Sequence, residues 1–173
     1  HLASFSFGGH VSTFAAVELG NWIADLTLSG CAALGLPQGP GVEFPKEREG
    51  MSEAEKLGVH RSMLEILMFH DPRRIDDVAI YCQTQNIRAA RFRSRPFART
   101  SDIKDNLAHV KVPLRAVWGG NDQTAWPSVE VRLDTIREHH PELVARVVPD
   151  AGHWAQYEQA DAFADALIEV LGD

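Results

Sequence analysis

Four short apolar runs that end in small or polar residues constrain this chain more than any other feature. They are His1–Phe5, Trp22–Ser29, Leu114–Trp118 and Val144–Val148. Helix-compatible stretches follow three of them, over His10–Leu19, Pro127–His139 and Ala160–Leu171. Strands alternating with helices predict a parallel sheet with helices on both faces, hence an α/β fold. Gly20-Asn21 supplies a stop for the first helix, and Pro127 suits the first turn of a later one.

The texture changes between the second and third runs. Pro37, Gly39, Pro40, Gly41 and Pro45 mark a loop. Helices are then expected over Ser52–Phe69, opening on the capping pattern Ser52-Glu53-Ala54-Glu55, over Arg74–Arg93, and over Asp102–Ala108. This block reads as a helical lid inserted between strands. The predicted organisation is a core over 1–29, a lid over 30–108 and the rest of the core over 109–173.

Charge narrows the function classes. The 173 residues carry a formal net charge of −7, against the basic surface that nucleic-acid binding needs. The one basic cluster, Arg88 to Arg99, has only Phe92 and Phe97 interleaved and reads as a solvated helix face. No nucleic-acid partner is expected. No apolar run reaches membrane-spanning length and no signal peptide is visible, so no membrane partner is expected either. Two widely spaced cysteines, Cys31 and Cys82, suit reduced thiols and a cytoplasmic location.

In open parallel sheets, ligands bind beyond the carboxyl ends of the strands. Three of the four ends here carry a residue with useful chemistry, in the order Ser6, Asp122, His153. Ser6 lies in Ser4-Phe5-Ser6-Phe7-Gly8, where small residues two positions either side leave room for a sharp strand-to-helix turn. Such a turn would lift the hydroxyl clear of the sheet, beside helix N–H groups that favour developing negative charge. Asp122 closes the turn Gly119-Gly120-Asn121-Asp122, which alone would pass for an ordinary Asx turn. His153, in Ala151-Gly152-His153-Trp154, could take a proton from Ser6 and return it to a leaving group. The other histidines, His139-His140 included, read as structural or solvated, and no metal-ligand pattern is present. Together the three form a candidate triad with Ser6 as nucleophile, His153 as acid/base and Asp122 as orienting acid, in the chain order of the α/β-hydrolases. The backbone N–H of Phe7 is the candidate oxyanion donor. No cofactor is called for.

On these residues the chain resembles the α/β-hydrolase superfamily, from the nucleophile turn to the closing helix. The stretch from Gly152 through Phe163 (GHWAQYEQADAF), with Val117 to Asp122 (VWGGND), resembles the meta-cleavage-product hydrolases of aromatic degradation. That resemblance implies cleavage of a carbon–carbon bond in a ring-fission product, with Trp154 lining the substrate pocket. It also implies a lid arginine for the substrate carboxylate, but Gln83 occupies the matching position. Arg88, Arg91, Arg93 and Arg95 are the alternative source of that charge, and Phe92 is either a pocket wall or lid core.

The family normally has about a hundred more residues before the nucleophile turn, in keeping with ordinary domain size. Read that way, this chain is the C-terminal portion of such a hydrolase, lacking its first strands and the second oxyanion donor. Absence of one donor costs roughly 10²–10³ in rate. An uncovered strand edge would also invite association, so a homo-oligomer is an expectation. Three readings stay open: carbon–carbon hydrolysis of a vinylogous diketone, esterase action on small esters, and a truncated relative without turnover.

Overall fold

The computed structural model describes residues 1–37, 39–41 and 43–172. Four strands form one parallel sheet in the order β1 (Leu2–Phe5), β2 (Leu26–Ser29), β3 (Leu114–Gly119) and β4 (Val144–Val148). Register pairs Phe5 with Ser29, Leu28 with Ala116 and Trp118 with Val147. All four strands run the same way, so the loops that follow them gather along one edge of the sheet.

Alternation along the strands sets the two faces. Leu26, Leu28, Leu114, Ala116 and Trp118 point into the main core. There they meet α1 (Phe7–Leu19), α4 (Asp102–Leu107) and α5 (Val129–Arg137), through Ala16, Ile103, Leu107, Leu133 and Ile136. Val117, one residue out of phase, faces the opposite way with Val148. That face is covered by α6 (Ala155–Glu158) and α7 (Ala160–Gly172), through Ala155, Phe163, Leu167 and Val170. The expected sheet with helices on both faces is what the chain forms.

The long excursion between β2 and β3 carries α2 (Glu53–Leu67) and α3 (Asp77–Ala89) before α4. Its two ends are stitched together: Ala33 N–H donates to Ala98 C=O, Gly35 N–H to Thr100 C=O, and Ile103 N–H to Ala33 C=O. Ala33, Leu34, Ile103 and Leu107 belong to the main core. Helices α2 and α3 lie outside it and share a smaller cluster of Leu64, Phe69, Ile75 and Ala79 with Trp154 and Tyr157.

Local chemistry moves several predicted boundaries. The second run is a strand only over Leu26–Ser29, where both neighbours supply partners; Gly20–Trp22 is a 3-10 turn with Trp22 exposed. The helix expected at Arg74 begins at Asp77, because the Asp76 carboxylate accepts from Ala79 N–H at 2.8 Å and so caps it. It stops at Ala89, beyond which 90–93 are exposed and bury no face. The helix expected from Pro127 begins at Val129, capped by Ser128. The first helix starts earlier than expected, at Phe7, immediately after Ser6. At α2 the Ser52–Glu55 capping box forms as anticipated.

Candidate active site

Ser6 sits between the end of β1 and the first residue of α1, with φ 53 and ψ −121. A side chain there pays steric strain, so neighbouring structure must hold the conformation. Ser6 N–H donates to Ser29 C=O at 2.8 Å, and Ser6 C=O accepts from Gly9 N–H at 3.0 Å. The small residues two positions either side of Ser6 face each other across the turn: a Cβ on Gly8 would lie 3.6 Å from the Cβ of Ser4, an ordinary contact. The Ser4 hydroxyl is accommodated by Ser12, whose Oγ donates to it at 2.7 Å.

His153 reaches Ser6 from the opposite side. Its Nε2 is 3.0 Å from Ser6 Oγ, and its Nδ1 is 2.9 Å from Asp122 Oδ2. The ring is 4% exposed and packs on Phe5, with centroids 4.8 Å apart. Beneath it lies Gly30 at φ 58, the residue that follows β2. A Cβ on Gly30 would come within 2.9 Å of His153 Cε1, so glycine is required twice over, by conformation and by space. The three residues singled out in the sequence are therefore brought into one hydrogen-bonded row.

The acid is held by groups that sequence reading did not single out. Asp122 Oδ2 also accepts from Trp118 Nε1–H at 2.9 Å, while Oδ1 accepts from Thr124 N–H at 2.8 Å and Thr124 Oγ1–H at 2.7 Å. Burial pushes the Asp122 carboxyl up, but the His153 hydrogen bond and charge, with Thr124, outweigh it and hold the group below the usual carboxylate range. Arg132 on α5 supports the same loop from below, donating to Thr124 C=O at 2.7 Å and to Cys31 C=O at 3.3 Å. Burial draws that guanidinium down from its ordinary value. Burial likewise pushes the Cys31 thiol up to about 12, which makes it an inert packing residue. Both cysteines are free thiols.

A second missed residue is Glu158. Its buried carboxylate accepts from the backbone N–H groups of His70 (3.0 Å), Asp71 (2.6 Å) and Gly152 (2.7 Å). The nearby Tyr157 hydroxyl donates to Asp76 at 2.6 Å, tying the start of α3 to α6. Burial, then Asp76, pushes that phenol up to about 12. A glutamate and a tyrosine in a stretch already recognised for its histidine were the available signal.

The remaining candidates fall around this row. Phe7 is the first residue of α1, so its N–H precedes the intrahelical ladder. Trp154 is half-buried beside His153 and packs on Phe69 and Tyr157, at 6.0 and 5.7 Å between centroids. Gln83 is buried on α3, 8% exposed, and makes no side-chain hydrogen bond among the described residues. Phe92 is not lid core: it is 59% exposed and lies against Phe7 and Phe97, each 5.4 Å away. Arg91, Arg93, Arg95 and Arg99 are exposed, and Arg88 pairs with Glu53. His140 is structural, hydrogen-bonded to Leu107 C=O inside the core. Among the described residues, no cluster could hold a metal ion and no helix is long and apolar enough to cross a membrane.

Residues 1–166 match the family described as "Alpha/beta hydrolase family". The chain belongs to that family. Curated relatives of this alpha/beta hydrolase include the 2-hydroxy-6-oxononadienedioate/2-hydroxy-6-oxononatrienedioate hydrolases of Paraburkholderia phymatum and Escherichia coli. Each is 26% identical over 99% of this chain and 62% of its own length. The chain thus spans somewhat less than two thirds of those relatives. Solved structures with the same alpha/beta hydrolase fold include a meta-cleavage product hydrolase from Pseudomonas fluorescens, with TM-score 0.70, 18% identity and coverage of 99% and 64% of the two chains. A putative aryl esterase from Burkholderia cenocepacia aligns with TM-score 0.69, 18% identity and coverage of 99% and 65%.

Proposed function

We propose that this chain carries the catalytic row of a serine-dependent hydrolase that cleaves a carbon–carbon bond in a meta-cleavage-type diketone. The observation that carries the reading is the row itself, Ser6 Oγ to His153 Nε2 at 3.0 Å and His153 Nδ1 to Asp122 at 2.9 Å. Ser6 Oγ attacks the ketone carbon as its proton passes to His153 Nε2. Negative charge gathers on the former carbonyl oxygen, where Phe7 N–H and the start of α1 oppose it. Collapse breaks the carbon–carbon bond, and the departing dienolate takes the proton from His153. Water then gives a proton to His153 and attacks the acyl carbon, releasing the acid and restoring Ser6. Asp122 stays ionised throughout and supports the imidazolium. Helices α2 and α3 serve as the lid, and Trp154 is the wall nearest the base. The resemblance of 99% of the chain to dienedioate hydrolases supports this substrate class.

One observation favours a second reading, esterase action on small esters. A buried neutral Gln83 offers a carboxylate no charge, and the arginines of 91–99 lie exposed on a separate segment. Both readings use the same row and differ in the lid. Labelling with an alkyl fluorophosphonate, read by intact mass beside Ser6→Ala, tests the row. An adduct on the unsubstituted protein that is lost in the variant is expected, and no adduct sinks the assignment. Turnover of a 2-hydroxy-6-oxodienoate against a phenyl ester of matched size then decides between substrates.

A further inference from the structure

We infer that Glu158 is a positioning residue that locks the loop bearing His153 onto the lid junction. The inference rests on the reading of His153 as the base. Of the residues on either side of His153, Trp154 is anchored directly to the segment that follows α2, and Gly152 is anchored to it through the Glu158 carboxylate. Gly152 N–H donates to Glu158 at 2.7 Å, and Trp154 N–H donates to Met68 C=O at 2.8 Å. The other two donors to the Glu158 carboxylate, His70 and Asp71, belong to that same segment, more than 80 residues away in the chain. Arg74 closes the arrangement by donating to Glu158 C=O at 2.9 Å.

The approach is as tight as polypeptide allows. A Cβ on Gly152 would lie 2.6 Å from His70 N and 2.7 Å from Met68 O, so two backbones pass with no side chain between them. N–H groups buried at so close an approach need acceptors. One carboxylate supplies them for three amides on two loops, with short charge-assisted bonds. Among the described residues, each side-chain bond of that carboxylate is to one of those amides. The carboxylate therefore joins the two loops at three amides, beside the direct bond from Trp154 N–H to Met68 C=O. His153 Nε2, one residue from Gly152, is placed against Ser6 by that joint. Displacement of a reacting group by about 1 Å costs on the order of 10² in rate.

The test uses Glu158→Gln in the full natural polypeptide that carries this sequence. One amide oxygen can still accept, but the NH2 group faces an N–H donor. At saturating fluorophosphonate, the maximal labelling rate of folded Glu158→Gln is expected to fall by about 10²-fold. The half-saturating probe concentration should stay within about two-fold, because the substrate walls remain. Glu158→Asp, which keeps the charge on a shorter stem, should recover part of that rate. An unchanged maximal rate overturns the inference, and so does a change confined to half-saturation, which would make Glu158 a lid anchor only. If Glu158→Gln is not recovered folded, amide hydrogen exchange in the unsubstituted protein decides. Joint opening of Gly152, His70 and Asp71 supports the lock, and independent exchange of Gly152 overturns it. Absence of labelling in the unsubstituted protein would sink the Ser6 reading instead, and the exchange experiment would still judge the joint.

Discussion

The loops around Asp122 and His153 and the segment around Phe92 both lie near Ser6, and they are built in opposite ways. In the first region each carboxylate oxygen of Asp122 has two hydrogen-bond partners, and His153 is bonded at both ring nitrogens. In the second, Phe92 is largely exposed against Phe7 and Phe97, beside an open groove of about 490 Å³ lined by Phe92, Arg93, Ser94, Arg95 and Pro96. The groups proposed to share protons are fixed by many partners, whereas Phe92 is left largely open beside the groove. Substitutions in the first region should cost rate, and those in the second should change preference.

The steepest break is at the row itself. Ser6→Ala and His153→Ala should each abolish the fluorophosphonate adduct and lower turnover by on the order of 10⁴-fold or more. Asp122→Asn should follow, at about 10⁴-fold in kcat, because the amide no longer favours the tautomer that leaves Nε2 free to accept. Steady-state kinetics on whichever substrate is turned over would read both.

Thr124→Val sharpens the comparison further. It removes one of two Thr124 bonds to Asp122 and the Thr124 hydroxyl contact with His153 Nδ1 at 3.1 Å, and should cost about 1–3 kcal/mol, or roughly 5- to 150-fold in rate. It also carries a pH signature. The folded Asp122 carboxyl titrates below its unfolded value, so its stabilisation is fully present above about pH 4 and is lost as pH falls through the lower folded value. Thermal melts of Thr124→Val between pH 7 and pH 3 should therefore show a smaller acid-dependent loss than those of the unsubstituted protein, the gap between the two narrowing as pH falls. Superimposable curves would remove Thr124 from the account.

The smallest effect belongs to Phe92→Ala. Its exposure predicts a stability change within about 0.5 kcal/mol by denaturant titration. The ratio of kcat/KM for aryl over alkyl substrates should nevertheless fall. A stability loss of several kcal/mol with an unchanged ratio would show that the two regions are not built differently after all.

How much of this could be read from the chain follows the range of each interaction. Ser6, Asp122 and His153 stand in the turns that follow apolar runs, so sheet topology delivers them to one edge. Ser52 and Glu55 are equally local. Trp118 and Thr124 are also near Asp122 in sequence, but their roles depend on rotamers that a linear pattern does not encode. Glu158 was out of reach because two of its three partners are 87 and 88 residues away. Gly30 was visible as a glycine after a strand, yet its reason is a histidine ring from the other end of the molecule. The later start of α3 was local and was missed because Asp76 competes with the periodicity around it.

Ser4 accepts a hydrogen bond from Ser12 and donates to Thr27 C=O at 3.4 Å. The two hydroxyls form a relay from helix to strand beneath the nucleophile turn. Glycine at position 4 alone would leave Ser12, 5% exposed, to fall back on Gly9 C=O. Positions 4 and 12 are therefore joined by a bond that can be removed from one side alone, because Ser12 already has a second acceptor on its own helix.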